Sequence, residues 1–426
     1  MVHGGVGFYQ DDINLEEVTS ALPTQSPVRL SLTLGSWTPI KPLTSYGNSL
    51  VQGPAGGNPY GFNFPTINLG PYTKHGAATS TSGLSLQADE YGMDPNLKPQ
   101  SAYIYNLGAE RELPRNMVVG LLYAGSHGTN QLVESNLNTY AGEQLPTSTG
   151  PMNADFGKIK FIRNAGTSDY NALIATLRQT VGKLTYQASY TLGLSKSDPT
   201  ANDTVSDQYD IHSQYAYTDS DVRQRFTFTQ VYEVPTRFKS QLMKTALGGW
   251  AMNNTLIMQS GTPFSAQTPE NVTSGFDFNN DGEGGDIPVY LGTKKNFSRS
   301  EARISAMSRG TQSMFPGAGN LIPTAGTCPV SQCSFAQPAA NTEGGLRNEF
   351  RGPGYFSLDS GIGKKFELPW FSDQKASLAI RLQGSNVLNV TNFGNPGATF
   401  DQTAQFGVVS GTAQNRVFQF GGRLQF

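Results

Sequence analysis

The chain has 426 residues, and 30 Lys and Arg against 32 Asp and Glu leave a formal charge of −2. This balance, with no basic stripe to neutralise phosphates, excludes a nucleic-acid partner. Charged residues make up only 15%, against roughly 25% in an ordinary soluble domain, yet the mean hydropathy of −0.37 is mildly polar. Gly, Ser, Thr, Asn and Gln fill the gap, together with 24 Phe and 18 Tyr, which suits a surface meeting lipid with alternate residues.

No stretch approaches the roughly 18 consecutive apolar residues of a membrane-spanning helix; the longest candidate, 117–124, is short and contains Gly120. The first residues, Met1-Val2-His3-Gly4-Gly5, offer neither the basic nor the apolar region of a secretory signal. An exported protein needs one, so the expectation is that these residues are a piece of a longer protein.

The dominant hydrophobic period is two, which means strands. In chain order they are expected near 2–10, 27–34, 101–112, 116–126, 170–181, 183–195, 222–234, 249–261, 355–367, 376–388 and 414–426. The clearest is 183–195, where Leu184, Tyr186, Ala188, Tyr190, Leu192 and Leu194 share one face and Lys183, Thr185, Gln187, Ser189 and Thr191 the other. Its length matches the ~9–11 residues of a tilted membrane-crossing strand, whereas a sandwich strand is typically five or six residues.

The connections alternate. Short ones fall at 113–115, at Gly182, at 235–248 and at 368–375, and long ones at 127–169, 196–221, 262–354 and 389–413. Short turns at one end and long extracellular loops at the other are the layout of an outer-membrane barrel. The fold class is therefore all-β, a transmembrane antiparallel barrel. With long loops outside, the last strand runs inward, and counting back the first strand, 2–10, also runs inward. Eleven strands is an odd number that cannot close antiparallel, and open edges are not tolerated in lipid, so a partial barrel is expected.

Candidate chemistry is sparse. Ser126 and His127 are adjacent, so on a strand they point to opposite faces, and the G-x-S-x-G elbow is missing. Gly4-Gly5-Val6-Gly7 lacks the spacing and following helix of a dinucleotide loop. No enzyme activity is read from the chain. Lumen-side charges are expected at Arg223, Arg225 and Glu233, pairing across the barrel or meeting a plug.

Asp277-Phe278-Asn279-Asn280-Asp281-Gly282-Glu283 matches the first half of a Ca²⁺ loop, with oxygen ligands on alternate residues and Gly at the turn. Position twelve is Pro288 rather than Glu, so this is no EF-hand; Asp286 could close the shell, and the alternative is a solvated acidic turn. Cys328 and Cys333, the two cysteines, sit in a Gly/Pro/Ser-rich stretch and read as a loop-closing disulfide in an exported protein. On the last strand Phe418, Phe420, Leu424 and Phe426 share one face, as in an aromatic girdle, and a terminal Phe resembles the signal read by the barrel-assembly machinery.

Several segments resemble the Oar-like group of TonB-dependent receptors. They are Asp94-Pro95-Asn96-Leu97-Lys98, Tyr105-Asn106-Leu107-Gly108, Arg111-Glu112-Leu113-Pro114, Tyr123-Ala124-Gly125-Ser126-His127-Gly128-Thr129 and Ser168-Asp169-Tyr170-Asn171-Ala172-Leu173. Asp221-Val222-Arg223-Gln224-Arg225-Phe226, Gly248-Gly249-Trp250 and Ser260-Gly261-Thr262-Pro263-Phe264 follow. Arg351-Gly352-Pro353-Gly354-Tyr355 and the run from Asn386-Val387-Leu388-Asn389 to Asn392-Phe393-Gly394-Asn395-Pro396 are the most specific. The resemblance implies a 22-stranded barrel, of which these residues would be strands 12 to 22. The plug, the TonB box and the first half of the barrel would lie outside them.

The expected partners are outer-membrane lipid, the assembly machinery, TonB through the missing part, and a large ligand such as an oligosaccharide, a peptide or a metal chelate. A non-transporting structural or adhesion barrel is the alternative, and a soluble all-β carbohydrate-binding protein a third.

Overall fold

A computed structural model describes residues 1–11, 90–138, 159–200, 210–235, 240–268, 278, 284–308, 312–315, 334–336, 338, 344–368, 376–400, 405–413 and 415–425. Ten long strands form its wall: β1 (Val2–Gln10), β2 (Ser101–Leu113), β3 (Met117–Asn136), β4 (Ile159–Val181), β5 (Leu184–Ser197), β6 (Gln224–Glu233), β7 (Trp250–Gln259), β8 (Tyr355–Leu368), β9 (Ala376–Ser385) and β10 (Val417–Gln425). Each pairs antiparallel with the next, so spatial order is chain order and the sheet is one meander. Among the described residues β1 and β10 pair with no further strand, leaving two open edges as a partial barrel has.

The two faces follow from side-chain alternation once register is known. On one face a row runs Tyr190, Phe226, Met258, Phe356, and another runs Leu184, Tyr232, Met252, Ile362, Leu382, Phe420. On the other face Thr191, Arg225 and Gln259 line up, as do Gln187, Thr229, Thr255 and Asp359. The expected alternation in 183–195 therefore extends across the sheet in these rows, interrupted on the apolar face by the row Gln230, Asn254, Ser360. Phe418, Phe420 and Leu424 lie on the apolar face as expected, opposite Gly384, Leu382 and Leu378; Phe426 lies outside the described residues.

Along β7 the apolar face is bounded by aromatics. At the short-turn end Trp250 faces Lys364, whose ammonium lies 5.6 Å from the Trp250 ring and 4.9 Å from that of Phe366, an amphipathic pairing suited to an interface. At the other end stands the Tyr190, Phe226, Phe356 row. Trp250 and Met258 are eight residues apart, about 26 Å along the strand, or roughly 20 Å across a tilted wall.

Three expectations change. Residues 27–34 lie outside the described residues, and β1 pairs directly with β2, Gln10 opposite Ser101. β1 therefore runs toward the long-loop end, not inward. Direction is decided by the pairing partner, which hydrophobic alternation does not encode. Second, β3 and β4 are longer than expected, at 20 and 23 residues. Gln131–Asn136 pair with 160–166 past a bulge next to Asn130, whose φ is 58°, and the strand Glu90–Met93 adds parallel to Ile159–Ile162. Third, the connection 234–249 carries a short helix, α1 (Gln241–Leu247), whose Ala246 carbonyl accepts the Trp250 indole N–H at 2.9 Å.

The short turns show their chemistry locally. Gly182 adopts φ +59° in the two-residue link from β4 to β5, a conformation Gly takes without a Cβ penalty.

Candidate functional site in the long-loop cap

At the long-loop end the connections β7 to β8 and β9 to β10 fold together into a cap with its own core. Phe264, Phe297, Phe315, Phe335, Phe350, Phe400 and Phe406 are all buried there. Phe315 sits at the centre, with ring centroids 5.0 Å from Phe350, 5.1 Å from Phe335 and 5.3 Å from Phe406. Burial of Tyr290, packed 4.9 Å from Phe350, pushes its phenol above the ordinary value. Removing such a ring opens a cavity, so Phe315→Ala is expected to cost the cap about 3–5 kcal/mol and to hasten its proteolysis while leaving the wall strands protected.

One helix of the cap, α2 (Arg299–Met307), starts at Ser298 with a capping box: the Ser298 hydroxyl accepts from Glu301 N–H at 3.3 Å, and the Glu301 carboxylate accepts from Ser298 N–H at 2.9 Å.

Three of the segments that carry the family resemblance, 260–264, 351–355 and 386–396, form joints between cap and wall. Asn392 clamps Phe356, accepting from its N–H and donating to its carbonyl, both at 2.9 Å. Asn386 does the same to Val390 at 2.9 Å, and Asn395 donates to Thr262 Oγ1 and the Pro263 carbonyl at 3.2 Å. A Cβ on Gly261 would overlap the Gly352 carbonyl, and one on Gly352 would overlap Asn395. The Asn and Gly in those runs are thus required by backbone clamps and close chain crossings.

Polar side chains bind the cap to β5 and the connection after it. Arg347 donates to the Ser197 carbonyl at 2.8 Å and Ser197 Oγ at 3.1 Å, and Asn348 to the Tyr217 carbonyl at 2.7 Å and Asp219 at 2.6 Å. Arg351 pairs with Asp221, whose side chain is 1% exposed and also accepts from Ser195 N–H at 2.7 Å. Two guanidinium groups lie over the Tyr217 ring, Arg351 at 5.0 Å and Arg223 at 5.1 Å from its centroid. Beside it the Tyr215 hydroxyl donates to Asp169 at 2.5 Å, and burial, reinforced by that carboxylate, raises the Tyr215 phenol well above its usual range.

The expected charge cluster of Arg223, Arg225 and Glu233 is not brought together. Arg225 and Glu233 share the polar face but stand at opposite ends of β6, about 26 Å apart, and Glu233 pairs with Lys183 at 3.7 Å. Arg223 precedes β6 and lies over Tyr217. Sequence alternation reports face but not height, so two like-facing residues read as neighbours when they are not.

Of the expected Ca²⁺ ligands, Asp277, Asn279, Asp281 and Glu283 lie outside the described residues. Asp286 is described and buried: its carboxylate accepts from Phe278 N–H at 2.6 Å, and its carbonyl accepts from Thr268 N–H at 2.8 Å. Cys328 and Cys333 also lie outside the described residues. Among the described residues no cluster of three or more His, Cys, Asp or Glu gathers as a metal site.

Comparison with known proteins adds the family. A model described as an outer membrane beta barrel domain matches residues 1–419. No curated protein matches. Among solved structures, the outer membrane transporter YddB from Escherichia coli is similar at 10% identity with a TM-score of 0.40. The alignment covers 80% of this chain but 34% of that one, so the chain spans about a third of its length.

Proposed function

Because the chain belongs to the outer membrane beta-barrel domain family and resides in the outer membrane, we propose that it is the wall and outer cap of a receptor that takes up a large ligand with TonB energy coupling. The observation that carries this reading is the joining of a two-faced meander to a folded cap at its long-loop end: the wall divides lipid from lumen, and the cap is built to meet what arrives from outside. The resembling segments 260–264, 351–355 and 386–396 add support, since they lock cap to wall. Coupling in such receptors runs through a plug and a TonB box, which the resemblance places upstream of these residues.

The test is uptake of labelled oligosaccharides, peptides and metal chelates by cells with and without the gene, in backgrounds with and without TonB. Loss of uptake of one of these in both deletions supports the proposal. Surface binding that persists without TonB, with uptake of all three unaffected, points instead to a structural or adhesion barrel.

Two smaller proposals accompany it. The β10 face of Phe418, Phe420 and Leu424 serves as the address for assembly with Phe426, so deleting Phe426 is expected to leave the protein in the periplasm, read by membrane fractionation. The acidic loop around Asp277 and Asp286 takes Ca²⁺; calorimetry on the refolded chain that detects no heat at millimolar Ca²⁺ would remove that site.

A further inference from the structure

A cavity of about 730 Å³ lies between α2 and the segment 389–393, lined by Arg299, Arg303, Ala306, Met307, Val390 and Phe393 among others. Two guanidinium groups reach it from one helix face. Arg299 and Arg303 are four residues apart, so they are neighbours of like charge that repel unless an anion lies between them. Arg299 donates one nitrogen to the Gly354 carbonyl and to Asn392 Oδ1, both at 3.2 Å, while its buried Nε–H finds no acceptor among the described residues. Burial also pushes this guanidinium below its ordinary pKa, a cost that a bound anion would offset. Arg303 is exposed and has no hydrogen-bonding or ionic partner among the described residues. Among the described residues no carboxylate lines the cavity.

The remaining walls are apolar, and apolar side chains continue onto the surface beside them: Met307 is 71% exposed and Ile304 54%. The position is equally specific. The Arg299 guanidinium lies 5.9 Å from the ring of Phe356, which ends the Tyr190, Phe226, Met258 row on the lipid-facing side of the wall. The cavity thus stands at the outer rim of the membrane, on its lipid side, where the outer leaflet of a Gram-negative bacterium presents phosphorylated glycolipid headgroups.

We propose that this cavity binds a phosphate of an outer-leaflet glycolipid. Arg299 and Arg303 hold the phosphate oxygens, and Met307, Val390 and Phe393 pack against the lipid's apolar part. A pair of guanidinium groups suits phosphate because each offers a planar fork of donors. This inference rests on placement in the outer membrane and not on TonB-coupled uptake, so the two stand or fall separately.

The test is native mass spectrometry of the protein purified from outer membranes in detergent, delipidated and titrated with lipid A, with phosphatidylcholine and inorganic phosphate as comparators. Arg303→Gln, Arg303→Lys and the double variant Arg299→Gln with Arg303→Gln are run beside it, folding being checked by heat-modifiable mobility. Retention of lipid A that weakens at least tenfold in Arg303→Gln and is largely restored in Arg303→Lys is the expected result. Equal retention by Arg303→Gln, or retention of phosphatidylcholine as strong as that of lipid A, would overturn the proposal. Displacement of lipid A by micromolar inorganic phosphate would assign the site to the free ion and overturn the lipid claim.

Discussion

Leu256→Arg is expected to cost the folded wall about 1–2 kcal/mol, between the roughly 2–4 kcal/mol of a cation at the middle of the lipid face of a barrel and about 0–1 kcal/mol near its rim. Leu256 lies on the apolar face between Phe228 and Leu358, between the Trp250 row at one rim and the Phe356 row at the other. An arginine there must either bury its charge in hydrocarbon or drag water and headgroups toward it. Its neighbour Thr255 points the other way, between Thr229 and Asp359, so Thr255→Arg is expected to change stability by well under 1 kcal/mol. Guanidinium unfolding of the protein taken from outer membranes, followed by tryptophan fluorescence, separates the two. Equal losses for both variants would mean that the two faces do not meet different solvents.

Arg351→Met is expected to cost about 3–5 kcal/mol, because it leaves the buried Asp221 carboxylate without its counter-charge. Arg351 does more than pair with Asp221. It lies over Tyr217 and donates to the Gly261 carbonyl at 3.3 Å, so one side chain ties the connection before β6 to the start of the cap. The loss should therefore appear first as cap opening, read as faster cleavage between residues 262 and 354, with the wall still protected. Adding Asp221→Asn to Arg351→Met should recover part of the loss, since the uncompensated charge is gone. Equal damage in the single and double variants would show that shape, not charge, holds the joint.

Much of the wall was legible from residue order because period-two alternation is a local property: every described long strand falls where alternation places it, within a few residues at most ends. The apolar set Phe418, Phe420 and Leu424 was legible for the same reason. The cap was not. Phe264, Phe315, Phe335, Phe350 and Phe406 come from stretches without periodicity, and their convergence depends on chain crossings at Gly261 and Gly352 that no local pattern announces. The Arg299 and Arg303 cavity was missed likewise, although two arginines four apart behind Ser298 and Glu301 are a helix signal that could have been read.

By itself, then, the order of residues determined an antiparallel wall with one apolar and one polar face and with long connections at one end, since solvent sorts alternate side chains wherever a strand lies. Tertiary structure decided what alternation leaves free. It chose the partner and direction of β1, separated Arg225 from Glu233 along a shared face, gathered seven buried phenylalanines into a second core, and set two guanidinium groups at the rim. Each of these depends on contacts between residues tens to hundreds of positions apart, which register and chain crossing bring together and local pattern does not.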